Sequence, residues 1–100
     1  LYVFFTNRGD EPERIMLSTI ELTDDWSEWT ASEPIEVLRP EMDYEGADLP
    51  LEASKGGYID ERVHQLRDPA IYQEGDKTYL LYSVAGESGI AIAEINFHKP

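Results

Sequence analysis

A chain of 100 residues makes one modest domain, which buries only about two-thirds of the surface its unfolded form exposes. With 41% hydrophobic and 29% charged residues it reads as globular, and no apolar run approaches the roughly 20 residues of a membrane-spanning helix. A net charge of −13 sets eight Lys and Arg against 21 carboxylates, which excludes a binder of phosphate backbones; neither nucleic acid nor a membrane is an expected partner.

The same imbalance suits a neutral or cationic ligand or, more plainly, solubility. Without cysteine there is no disulfide framework and no thiolate metal site, so the compartment stays open. Asp48, Glu52, Asp60 and Glu61 match no calcium-loop spacing, and neither a metal nor a cofactor is expected. The first residues, Leu1-Tyr2-Val3-Phe4-Phe5, have full strand character with no initiating Met and no signal peptide. The chain is therefore expected to start inside a larger fold.

In chain order, residues 1–6 are aromatic and β-branched, the composition of a buried strand. Residues 7–12, with Arg8-Gly9-Asp10 at their centre, read as a hairpin tip. A second strand over 14–22 places Ile15, Leu17 and Thr19 on one face and Met16, Ser18, Ile20 and Leu22 on the other, as in a strand covered on both sides. The polar connection that follows carries Trp26 and Trp29. Its tryptophans are expected to pack back on the sheet, the alternative being rings exposed for stacking on sugars. Residues 35–38 form a short edge strand closed by Arg39-Pro40.

From 41 to 65 neither helical nor strand periodicity is sustained, and a segment of this length is expected to be functional or disordered. Three further strands follow over 69–72, 78–84 and 90–95, joined by turns at 73–76 and 86–89; no helix is expected. The chain also repeats itself. Tyr2-Val3-Phe4-Phe5-Thr6 matches Tyr79-Leu80-Leu81-Tyr82-Ser83, and Leu17-Ser18-Thr19-Ile20-Glu21-Leu22 matches Ile90-Ala91-Ile92-Ala93-Glu94-Ile95. Repeated antiparallel units belong to architectures in which one unit cannot bury both its faces alone. The division read from this repeat is a partial unit over 1–39 lacking its innermost strand, a connecting segment over 40–66, and a following unit over 67–100 that stops at Pro100 where a fourth strand would begin.

Arg67-Asp68-Pro69 with its aliphatic strand, the Gly75-Asp76 turn and Tyr79-Leu80-Leu81-Tyr82 resemble blades of five-bladed β-propeller glycosidases. These are of the arabinanase and β-xylosidase type, the invertase type and related agar-degrading enzymes. The stretch from Ser18 to Trp29 is similar to an outer strand and its Trp-bearing connection in the same group. The resemblance implies an all-β, antiparallel fold of about two consecutive blades, one incomplete, from the C-terminal part of such a propeller. It also implies a sugar funnel ringed by the starts of the innermost strands, with an oligo- or polysaccharide as partner.

Within that resemblance Glu45, in Tyr44-Glu45-Gly46-Ala47, stands where the family has its general acid, although Ala47 replaces a Pro. Asp68 stands where the invertase group has a substrate-binding aspartate that stabilises the transition state. Arg67 and His64 would line the funnel. Chemically, a guanidinium favours the charged form of a neighbouring carboxylate, so Arg67 is expected to keep Asp68 ionised, while Glu45 would donate a proton. The plainer readings remain beside these: a strand-capping Asp68, a solvated loop acid at Glu45, an exposed His64. The isolated chain is expected to be inactive and to self-associate through unpaired strand edges and uncovered apolar faces.

Overall fold

Runs of aromatic, aliphatic and β-branched residues build six strands, in which successive side chains point to opposite faces. A computed structural model, which describes residues 1–97, arranges them as two antiparallel three-stranded meanders. The first comprises β1 (Tyr2–Phe5), β2 (Ile15–Thr19) and β3 (Ile35–Leu38). The second comprises β4 (Arg67–Glu74), β5 (Lys77–Val84) and β6 (Gly89–Ile95). Two single 3-10 turns, Trp26–Glu28 and Asp43–Glu45, complete the regular structure, and among the described residues no helix is long and apolar enough to cross a membrane. The fold is all-β, as expected. The end of the second unit at Pro100 lies outside the described residues.

One face of each sheet turns toward the other. Leu80, Tyr82 and Val84 alternate along β5 and are buried with Ile15 of β2 and with Leu66, the residue before β4. Phe4, Val37, Leu38, Ala91, Ala93 and Ile95 close around them. The centre of this core, Ile15, Leu66 and Leu80, is wholly shielded from solvent.

The internal repeat is visible in the ladders. Tyr2 lies opposite Thr19, whereas its counterpart Tyr79 lies opposite Glu94 rather than Ile92. The slip between the copies is even, so every matched side chain keeps its face; an odd slip would have turned the apolar set outward.

Three expectations change in detail. The strand expected over 14–22 ends at Thr19, with Ile20 retaining only an isolated bridge to Ala31. The strand expected from Pro69 starts at Arg67, because β5 tolerates a bulge there. The tryptophans do not plug the sheet: Trp26 is 76% exposed and Trp29 39% exposed. The cause is local. Asp25 Oδ1 accepts from Ser27 N and Oγ, capping the short turn that holds Trp26 outward, and the Trp29 indole donates to the Thr23 carbonyl at 3.0 Å.

Candidate functional site

Pro69 has no N–H, and the ladder between β4 and β5 breaks around it. Arg67 pairs with Ser83 and Ala70 with Leu81, so Asp68 and Pro69 together oppose Tyr82. Asp68 adopts the left-handed conformation, φ +53, which an L-residue holds at a cost of about 1 kcal/mol unless a short polar side chain bonds locally. It does so here: Ser83 Oγ donates to Asp68 Oδ2 at 3.2 Å. The rest of the Asp68 carboxylate faces solvent.

Arg67 takes the opposite course. Its side chain is buried, and its guanidinium donates to the Gly57 carbonyl at 2.7 Å, to the Lys55 carbonyl at 3.2 Å and twice to Gln65 Oε1. Its charge is matched by Glu13, 3.7 Å away, which itself accepts from Thr6 Oγ1 at 2.6 Å. The expected Arg67–Asp68 partnership is therefore corrected. The ion partner of Arg67 is an acid from the β1–β2 connection, and the residue fastens the 55–57 backbone to the start of β4.

Glu45 is also buried. Its Oε1 accepts from the Glu41 and Met42 backbone N–H groups, both at 3.0 Å, closing the 3-10 turn as the returning acid of a capping box does. Its Oε2 accepts from the Tyr82 hydroxyl at 3.0 Å, and its carbonyl accepts from Ala85 N at 3.1 Å. Burial, followed by the hydrogen bond to the Glu45 carboxylate, pushes the Tyr82 phenol above its ordinary 10.0. Gly46 continues this corner at φ +91, where a Cβ would overlap the Val63 carbonyl. His64 is half-buried and donates Nδ1–H to the Leu49 carbonyl at 3.0 Å.

The 41–65 segment is thus neither a helix nor a free loop. Gly9 N donates to Ser54 Oγ, Ser54 N to the Asp10 carbonyl, Ile59 N to Glu87 Oε2 and Gly86 N to the Gln65 carbonyl. These bonds stitch it across the ends of both sheets and leave two adjoining polar clefts. One, of ≈ 430 Å³, is lined by Thr6, Arg8, Glu13, Asp68 and Glu87. The other, of ≈ 330 Å³, is lined by Glu52, Tyr58, Glu61 and Gln65, and the two share Lys55, Gly56 and Arg67. Of the four residues expected at a site, Arg67 and Asp68 reach the first cleft, while Glu45 and His64 line neither. No group of three or more metal-ligating side chains comes together among the described residues.

Glu13, Tyr58 and Glu87 had no distinguishing motif in the sequence, and Arg8 was read only as part of the Arg8-Gly9-Asp10 hairpin tip. Gly56-Gly57 marked a turn and nothing more. Here a Cβ at Gly56 would overlap the Arg8 side chain, so Arg8 lies directly over that backbone.

Over 96 residues, 95% of its length, the chain is 49% identical to a protein of Acanthamoeba polyphaga mimivirus named "Uncharacterized protein R118". It spans 27% of that relative's length. No family model matches, and no solved structure matches. These findings overturn the kinship with five-bladed propeller glycosidases. The similarity that covers the chain runs to a viral protein whose name carries no hydrolase activity, and the two separate sheets form no closed propeller. The residues that carried the resemblance have local uses instead: Glu45-Gly46 shapes a turn, and Arg67 anchors a loop.

Proposed function

We propose that the chain contributes two neighbouring blades to a larger β-propeller and binds oligosaccharide at the cleft beside Asp68. In this reading residues 1–39 supply the outer strands of one blade, 40–66 connect, and 67–100 begin the next with β4 innermost. The observation that carries the binding role is the Asp68 corner. A non-glycine residue in a left-handed bulge holds an exposed carboxylate at the mouth of a cleft rich in polar groups, and such strain gathers where side chains are aimed at ligands. On the adjoining wall Tyr58 is 80% exposed, a ring available for stacking on a sugar face. Arg67 acts as a positioning residue by holding the Lys55 and Gly57 carbonyls at the cleft, while Glu45 and His64 fasten the 41–49 stretch away from it. Glycoside hydrolysis commonly takes two carboxyls, and with Glu45 closed off only Asp68 of the expected pair faces solvent, so hydrolysis is not assigned to these 100 residues.

Asp68→Gly separates a ligand role from a structural one. Glycine adopts φ +53 freely, which offsets the lost Ser83 contact and the greater freedom of the unfolded chain, so the melting temperature should stay within about 4 °C of the parent. Affinity for arabino-, xylo- or galacturono-oligosaccharides, titrated by calorimetry, should fall roughly tenfold or more. A parent chain that binds none of these sugars sinks the reading. A variant that melts far below the parent assigns Asp68 to the scaffold.

The blade reading draws on the far face of the second sheet. Ala70, Leu81 and Ile92 form one row across β4, β5 and β6, Ile90 lies opposite Ser83, and Tyr72 stacks on Tyr79 with ring centroids 6.5 Å apart. Ile90 and Ile92 are 77% and 60% exposed on this face. A further sheet would cover it, and in the isolated chain a second copy does so, joined also by unpaired strand edges. Light scattering at tens of micromolar should therefore report dimers or larger species; a clean monomer counts against this part.

A further inference from the structure

The sequence-wide charge suits a neutral or cationic ligand, yet the first cleft is locally balanced, with Glu13, Asp68 and Glu87 facing an equal number of cations. Three of the eight cations, Arg8, Lys55 and Arg67, line it together. Every carboxylate there has an internal partner: Glu13 accepts from Thr6 and pairs with Arg67, Asp68 accepts from Ser83, and Glu87 accepts from Ile59 N. Arg67 is saturated by carbonyl groups and Gln65. Arg8 and Lys55 differ. Both are exposed, and neither side chain has a hydrogen-bond or ion-pair partner among the described residues, in a chain that offers 21 carboxylates. Arg14 and Arg39, by contrast, share Glu36, and Arg62 donates to the Asp43 carbonyl.

We infer that the cleft selects an acidic oligosaccharide, whose carboxylate or sulfate lies between Arg8 and Lys55 while neighbouring hydroxyls meet Asp68. The inference rests on the sugar-binding reading and narrows its ligand. Arg8, flattened over Gly56, presents the planar fork that grips an anionic oxygen pair, and Lys55 adds a point charge. The surplus acid elsewhere opposes this little, because charges more than about 8–10 Å away are largely screened at physiological salt.

The test uses the intact chain and three probes: trigalacturonate, its methyl ester, and a sulfated galacto-oligosaccharide of equal length. Calorimetry should show at least one acidic probe binding roughly tenfold or more tightly than the neutral ester. Arg8→Gln and Lys55→Gln should each weaken that probe severalfold, and the double variant should bind it no better than the ester. Preference for trigalacturonate identifies a carboxylate site, and preference for the sulfated probe a sulfate site. Equal affinity for acid and ester overturns the acidic ligand and leaves sugar binding standing, whereas absence of all binding overturns both. An acid preference that survives in the double variant, with unchanged circular dichroism, overturns the assignment to Arg8 and Lys55.

Discussion

Glu45→Ala should lower the melting temperature by roughly 12–24 °C, the shift that about 3 kcal/mol produces in a domain of this size. The carboxylate holds two backbone N–H groups that begin a 3-10 turn, and its loss exposes the turn to fraying. It also accepts from the Tyr82 hydroxyl, a group buried between the sheets that finds no replacement partner once Glu45 is truncated. Glu45→Gln should recover part of the loss, since an amide oxygen still accepts from the turn. A Glu45→Ala protein that melts within a few degrees of the parent would return this acid to the candidates for chemistry.

The pair also sets a response to alkali. Tyr82 is an acid held protonated in the fold, so the unfolded chain releases its proton first as pH rises. Its contribution is therefore fully present below the ordinary value of 10.0 and is lost progressively above it. In Tyr82→Phe the melting temperature should fall less steeply above pH 10 than in the parent, because one linked proton has been removed.

Arg67→Met is expected to cost about 3–4 kcal/mol, because it breaks a buried pair and leaves Glu13 uncompensated. The local consequence is more telling than the global one. With its anchors at Lys55 and Gly57 gone, the backbone over 55–59 should lose amide-exchange protection well before the β5–β6 ladder does. Arg67→Lys should rescue little, since one ammonium cannot reach two carbonyls and Gln65 with the geometry of a guanidinium fork. Unchanged exchange over 55–59 in the Met variant would show that Glu87 and Ser54 hold the loop without it.

Glu45, Asp68 and Arg67 also show why the strands were legible and the site was not. Tyr79-Leu80-Leu81-Tyr82 is a short aromatic and aliphatic run, and such a run is recognised from neighbours alone, so β5 and its repeat in β1 could be read directly. Asp68 and Arg67 are adjacent in sequence, and adjacency suggested partnership. The bulge at Pro69 instead leaves one exposed at a cleft and turns the other into the interior, toward Glu13. Nothing in the run around Gly56-Gly57 indicated that Arg8 would lie over its backbone.

Composition and runs of strand-forming residues by themselves determined an all-β chain of paired antiparallel strands and a repeat of strand–turn–strand units. They could do so because these properties are sums over local choices. Only the tertiary structure decided that Glu45 is a buried cap, that Arg67 is a loop anchor, and that Arg8 and Lys55, unpaired among the described residues, share a cleft with Asp68. The reason is distance along the chain: Glu45 meets Tyr82 across 37 positions and Gly9 meets Ser54 across 45. Which polar group is buried and which is left facing a ligand depends on such long-range encounters, and no local period records them.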